Sequence, residues 1–237
     1  DGITVVYKNK SKDSEGFEYI YHRGDEKTKV HMDYPGEQLL TLNPKDGSII
    51  SKVNNFVDGN HLSFMFDRVL PRTLFGIESN FVEEHPSKVK ELTNGYELKS
   101  NEIKLFVNDK AGKAGRSKWY VADKSVIQNG QEYLSEWQVV VSSANAGGQK
   151  RDNQIEIIDN HSAFGRSRVA LGSFKTETEA INFYHYCKAT LIRFMFLMTD
   201  EALTSLGKKV PDVLDYSDKN ALIDFSKDLN TQLYALV

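Results

Sequence analysis

The stretch from Trp137 to Met198 sets the tightest limit on the fold. Glu136–Ser142 is a short run of β-branched residues with polar boundaries, which predicts a strand. It runs into a glycine-rich basic loop, Ala144-Asn-Ala-Gly-Gly-Gln-Lys-Arg151. Further on, Thr176-Glu-Thr-Glu179 is a capping box, in which the hydroxyl takes an orphan amide and the glutamate reaches back. Apolar residues then fall at Ala180, Phe183, Tyr184, Cys187, Leu191, Phe194, Met195 and Met198. That spacing predicts one helix of about five turns. A strand, a loop and a capped helix in that order point to an α+β fold, with a mixed or antiparallel sheet and C-terminal helices.

The rest of the chain extends this picture. Ile3–Tyr7 and Phe17–His22 cluster β-branched and aromatic residues around a polar connection, which predicts an N-terminal β-hairpin. Ile49–Val53 reads as a short strand after the turn Asn43-Pro-Lys-Asp-Gly47, Glu84–Leu92 as a short helix, and Ile103–Val107 as a strand. A last helix is expected after a Ser217 cap, with Ala221, Phe225, Leu229 and Leu233 on one face. The expected division is a hairpin region over 1–55 and a second domain over 56–237. The chain starts Asp1-Gly2 without Met and goes straight into a strand, so it is expected to be a fragment or a processed product.

A single cysteine, Cys187, excludes an internal disulfide framework and suits a reducing compartment, so a cytoplasmic location is expected. It falls on the apolar helix face and reads as core. No apolar run reaches the ~18 residues of a membrane span. A net charge of −3 argues against a uniformly basic nucleic-acid binder. The charge is uneven, however. Residues 110–175 carry ten Lys and Arg against six Asp and Glu, whereas residues 1–109 carry fourteen against eighteen. A basic middle between acidic flanks suits a local polyanion partner; chance variation in surface charge gives the same counts.

Three loops hold this charge. Asp109–Lys118 brings Lys113, Arg116 and Lys118 together with glycines that let a phosphate approach the backbone, and it leads into Trp119-Tyr120. It lacks the Gly-Lys-Ser/Thr spacing of a P-loop, and as plain structure it is a solvated hairpin tip. Ala144–Arg151 adds Lys150 and Arg151, and its Asn145 and Gln149 carry amides of the kind that pair with adenine in a major groove. The third loop, His161–Arg168, supplies Arg166 and Arg168. Arg68 and Arg72, either side of Pro71, are weaker candidates. Each loop alone says little; their convergence on one face would be the functional signal.

No obvious catalytic kit accompanies these loops. Glu97-Leu98-Lys99 and Glu102-Ile103-Lys104 fit the Glu-x-Lys element of metal-dependent endonucleases, with Asp67 as a possible upstream acid, but that element is common by chance. The six histidines show no metal-ligand spacing, and no nucleophile motif is present.

From about Glu136 onward the chain resembles the target-recognition region of adenine-N6 DNA methyltransferases of type II restriction–modification systems, including those fused to an endonuclease. The residues carrying the likeness are Trp137, Val139, Ser143, Ala144, Gly147 and Gly148, then Gly172, Ser173 and Phe174, then Glu179, Ala180, Phe183, Tyr184, Arg193 and Phe194. Lys209-Val-Pro211 resembles the family's following segment, and Gly2–Tyr21 its last methyltransferase strand pair. The catalytic Asn/Asp-Pro-Pro-Tyr/Phe motif and the glycine-rich S-adenosylmethionine motif are absent from this sequence. The resemblance therefore implies sequence-specific binding of double-stranded DNA by a recognition piece that takes no cofactor itself. S-adenosylmethionine and the flipped adenine would belong to an N-terminal catalytic domain of the parent enzyme. The alternatives are a metal-dependent restriction endonuclease domain and a protein-interaction module.

Overall fold

The computed structural model describes residues 3–8, 18–23, 46–110, 116–144, 155–198 and 206–237, and for 3–8, 18–23, 46 and 47 the backbone alone. The fold is α+β. The chain divides into two compact units, 1–56 together with Val237, and 57–236.

In the first unit, β1 (Ile3–Lys8) and β2 (Glu18–Arg23) form the N-terminal hairpin, antiparallel from Ile3 opposite Arg23 to Lys8 opposite Glu18. Helix α1 (Asp46–Gly59) replaces the strand expected at Ile49–Val53. Two β-branched isoleucines suggest a strand locally, but Ile50, Val53, Phe56 and Val57 recur at helical spacing, and all four are buried. The longer period decides the element.

The second unit holds two sheets and a short bridge. The bridge pairs β3 (Ser63–Phe64) with β11 (Pro211–Asp212). One sheet runs β4 (Val89–Glu91), β6 (Ser117–Asp123), β5 (Glu102–Asn108), β9 (Ser162–Phe164), with β9 parallel to β5 and the other pairs antiparallel. The other is antiparallel, with β7 (Trp137–Ser142) between β10 (Arg168–Phe174) and β8 (Glu156–Ile158). Leu105, Val107, Tyr120, Val140, Ile158 and Ala170 share one core with Phe75 and Ile77. The helix expected over Glu84–Leu92 is absent. A one-turn helix, α2 (Phe81–Glu84), gives way to a 3-10 turn at Pro86–Lys88 and then β4. Pro86 lacks an amide donor and drives His85 out of helical geometry, to φ −129° and ψ 52°.

The capping box forms as expected. Glu179 N–H donates to Thr176 Oγ1 at 3.2 Å, and Thr176 N–H donates to Glu179 Oε2 at 3.1 Å. The helix it starts is shorter than the spacing predicts: α3 (Glu177–Lys188) stops at an extended Ala189, and α4 (Thr190–Leu197) resumes beyond it. Asn230 Oδ1 accepts the Thr190 N–H at 2.8 Å, a tertiary bond that local spacing does not reveal. The last helix, α5 (Leu229–Leu236), starts well after Ser217. Asn220 accepts the amides of Leu222 and Ile223, and Asp224 that of Ser226, so side chains compete with a helical backbone until Asp228 caps Thr231 N–H at 2.7 Å.

Arg68 ties β11 to this framework. Its Nε donates to Asp212 Oδ2 at 2.8 Å, while Nη2 donates to Asp212 Oδ1 at 3.2 Å and to the Leu214 carbonyl at 2.9 Å. Asp212 Oδ1 also accepts from Leu214 N–H and the Tyr216 hydroxyl. The guanidinium sits against the rings of Phe174, Phe183 and Tyr216, at 5.5, 5.9 and 5.1 Å. Burial disfavours its charge, but Asp212 outweighs that and holds its pKa above the ordinary value. Removing Asp212 leaves a half-buried guanidinium among aromatic rings without its counter-ion. Asp212→Ala is therefore expected to cost ~3–5 kcal/mol in urea unfolding, and Arg68→Met/Asp212→Leu to recover much of it. A single-variant cost below ~1 kcal/mol would contradict this role.

Candidate nucleic-acid interface

The strand register brings the anchor points of the three basic loops to one end of the second unit. Strand β5 ends at Asn108 opposite Ser117, the first residue of β6. Ser117 Oγ donates to Asn108 Oδ1 at 2.9 Å, and Asp109 N–H donates to the Arg116 carbonyl at 3.3 Å. These bonds close the base of the first loop. Strand β9 runs parallel to β5 and ends beside Phe106. Gly165 N–H then donates to the Phe106 carbonyl at 3.0 Å.

Only residues 165–167 separate β9 from β10. The first residue of β10, Arg168, lies opposite Ser142, the last of β7, and Ser143 N–H donates to the Ser167 carbonyl at 2.9 Å. On the other side of β7, β8 begins at Glu156 opposite Val140. The connections 109–116, 143–155 and 165–167 therefore all begin and end there. The third turn sits close to β5: a Cβ on Gly165 would lie 2.8 Å from Val107 Cγ1.

Arg116 is exposed at this end. Lys118 is exposed too and sits 3.4 Å from Asp109 Oδ2; the hydrogen bond to Asp109, aided by the charge of Glu91, raises its pKa. Arg166 pairs with Glu78 Oε2 at 2.9 Å, both side chains well exposed. Arg72 Nε donates to the Arg166 carbonyl at 3.2 Å, which brings Arg72 to the same turn. Arg168 differs from a surface cation. Its side chain is 8% exposed, and its guanidinium lies 4.9 Å from the Phe106 ring centre, with Phe106 stacked on Trp119 at 4.7 Å. Burial lowers its pKa, which Glu156 partly offsets. Arg68 faces the interior with Asp212. Lys113, Asn145, Gln149, Lys150 and Arg151 lie outside the described residues.

Sequence reading misses the acids that answer these cations. Asp109, Glu78 and Glu156 each meet one of them. Glu156 alone leaves a trace, as a charge at the head of the apolar run Ile155-Glu-Ile-Ile158. The residues of the Gly-Ser-Phe motif have structural duties. A Cβ on Gly172 would lie 2.9 Å from Arg68 Cδ, Ser173 Oγ donates to Glu136 Oε2 at 2.6 Å, and Phe174 packs on Phe183 and Tyr216.

The endonuclease element is engaged elsewhere. Glu102 stands at the opposite end of β5 and accepts from Lys99 N–H at 3.0 Å, Lys90 Nζ at 2.9 Å and the Tyr96 hydroxyl at 2.8 Å. Lys104 pairs with Asp159. Among the described residues no group of three or more His, Cys, Asp and Glu is arranged to hold a metal ion. Compared with protein-family models, curated proteins and solved structures, the chain matches none.

Lys99 N–H first, then Lys90 and Tyr96, hold the Glu102 carboxyl down to about 2. A depressed pKa adds stability that is present above the ordinary glutamate value of ~4.3 and is lost as pH falls toward 2. An NMR titration is expected to find the Glu102 midpoint near 2 and to find it higher in Lys90→Met. A wild-type midpoint near ~4.3 would contradict the cluster.

Proposed function

We propose that this chain binds double-stranded DNA sequence-specifically, as the target-recognition part of an adenine-N6 DNA methyltransferase of a restriction–modification system. The observation that carries the reading is the common end from which the connections 109–116, 143–155 and 165–167 leave. Loops that share an end can meet one stretch of duplex, and loops that supply cations there can meet its phosphates. The resemblance of the segment after Glu136 to the recognition region of that family supports the same reading. Target flipping, S-adenosylmethionine and methyl transfer belong to a catalytic domain outside this chain.

Arg116, Lys118, Arg166 and Arg72 are the phosphate-binding residues in this reading, joined by Lys113, Lys150 and Arg151. Asn145 and Gln149 are the base readers. The Arg166–Glu78 pair is exposed, and so is Lys118 in its pair with half-buried Asp109, so a phosphate can exchange for the acid at small cost. Arg68 belongs to the framework. Such a protein works in the cytoplasm. Among the described residues no helix is long and apolar enough to cross a membrane, and the buried free thiol of Cys187 suits a reducing compartment.

Fluorescence anisotropy with labelled duplexes tests the reading. Binding is expected to fall steeply with salt, and Arg166→Ala or Arg116→Ala to weaken it for every sequence while lowering the salt slope by about 1. Gln149→Ala or Asn145→Ala is expected to cost ~1–3 kcal/mol at one base pair of the preferred site. Absence of salt-dependent duplex binding would overturn the proposal.

A further inference from the structure

Two arginines of the second unit, half-buried Arg68 and buried Arg168, are satisfied very differently. Arg68 makes short bonds to both oxygens of Asp212 and to a carbonyl. Arg168 is the more buried side chain, 8% exposed against 21%, yet among the described residues its polar contacts are long. Nη1 reaches the Ser167 carbonyl at 3.5 Å, Nη2 stands 3.9 Å from Glu156 Oε1, and Nε has no hydrogen-bond partner. A guanidinium carries five N–H donors in a fixed fork, and leaving them unmade in the interior is costly. The hydroxyl of the preceding residue, Ser167, and Asp109 Oδ1 are also buried without partners. Of the buried side-chain atoms without a partner among the described residues, only Gln138 Oε1 lies outside the end where the loops are anchored.

Among the described residues Glu156 is the carboxylate facing this cation, and its side chain is 41% exposed. Burial raises its pKa and Arg168 draws it back down. Glu156 therefore joins the buried guanidinium to a carboxylate that reaches solvent. An anion taking the place of the Glu156 carboxylate would meet Nη2, and Nε of the same fork still has a donor to give. A phosphate offers several acceptor oxygens to such a fork, which the single 3.9 Å contact does not satisfy.

We propose that Arg168 is a phosphate-binding residue for the DNA backbone, held in waiting by Glu156, which the incoming phosphate displaces. The inference rests on the DNA-binding reading above and adds to it one site and its counterion. Phe106, itself stacked on Trp119, lies under the guanidinium, so the cation is pre-oriented before the duplex arrives.

The full chain is titrated with a short duplex of random sequence at fixed low salt. Glu156→Gln is expected to tighten binding by about two- to fivefold, the size of one partly exposed ion pair. Arg168→Gln is expected to weaken binding and lower the salt slope by about 1. The gain from Glu156→Gln is expected to vanish in the Arg168→Gln background, since it acts through that guanidinium. The Arg168 Nε–H signal of the folded wild type, followed by NMR, is expected to shift as duplex is added, which covers the case in which Arg168→Gln does not fold. Duplex binding with no gain from Glu156→Gln, an equal gain in both backgrounds, or an unmoved Nε–H signal at saturation would overturn this site and leave the DNA reading standing. No duplex binding by the wild type would overturn both.

Discussion

The turn at 165–167 is the constraint on which the second unit depends. Its first residue donates a backbone bond to β5 through the Phe106 carbonyl, and its last accepts one from Ser143 just past β7. A connection this short leaves β9 and β10 no freedom to belong to distant parts of the fold. It fastens the end of the four-stranded sheet to the end of the three-stranded one, and the loops at both ends become neighbours. Gly165 makes the contact possible, because a side chain there would run into Val107. The core beneath is shared: Leu105 and Val107 from one sheet and Val140 and Ala170 from the other lie in one apolar cluster.

Half-buried Arg68 and buried Arg168 express two uses of the same side chain. Arg68 is neutralised by Asp212, held among three aromatic rings, and joins the turn after β3 to β11. Its charge is spent on tertiary structure. Arg168 rests on Phe106 with a distant acid and an unpaired Nε, at the end where the loops leave. Buried polar groups are normally paired, and this exception is the observation on which the proposed phosphate contact rests.

Much of the framework was legible in the sequence. The hairpin, β5, β7 and the capping box at Thr176 all follow from local period and cap chemistry. The errors have physical causes. At Ile49–Val53 a β-branched cluster masked a longer helical period, and Pro86 cut the helix expected after Glu84. At Ala189 the deciding bond comes from distant Asn230, whereas after Ser217 the local Asn220 and Asp224 side chains compete with a helical backbone. The basic loops were visible as composition, but their common end depends on register between β5 and β9 and between β7 and β10, which no single segment encodes. Asp212, 144 residues from Arg68, was beyond reach for the same reason.

The central claim is that one end of the second unit meets the duplex. Hydrogen exchange of the full chain, with and without saturating duplex, measures it directly. The account expects new protection in peptides covering 109–118, 143–156 and 165–168, with the amides of α3, α4 and α5 unchanged. Protection concentrated on α3 to α5, with none at those three connections, would contradict it.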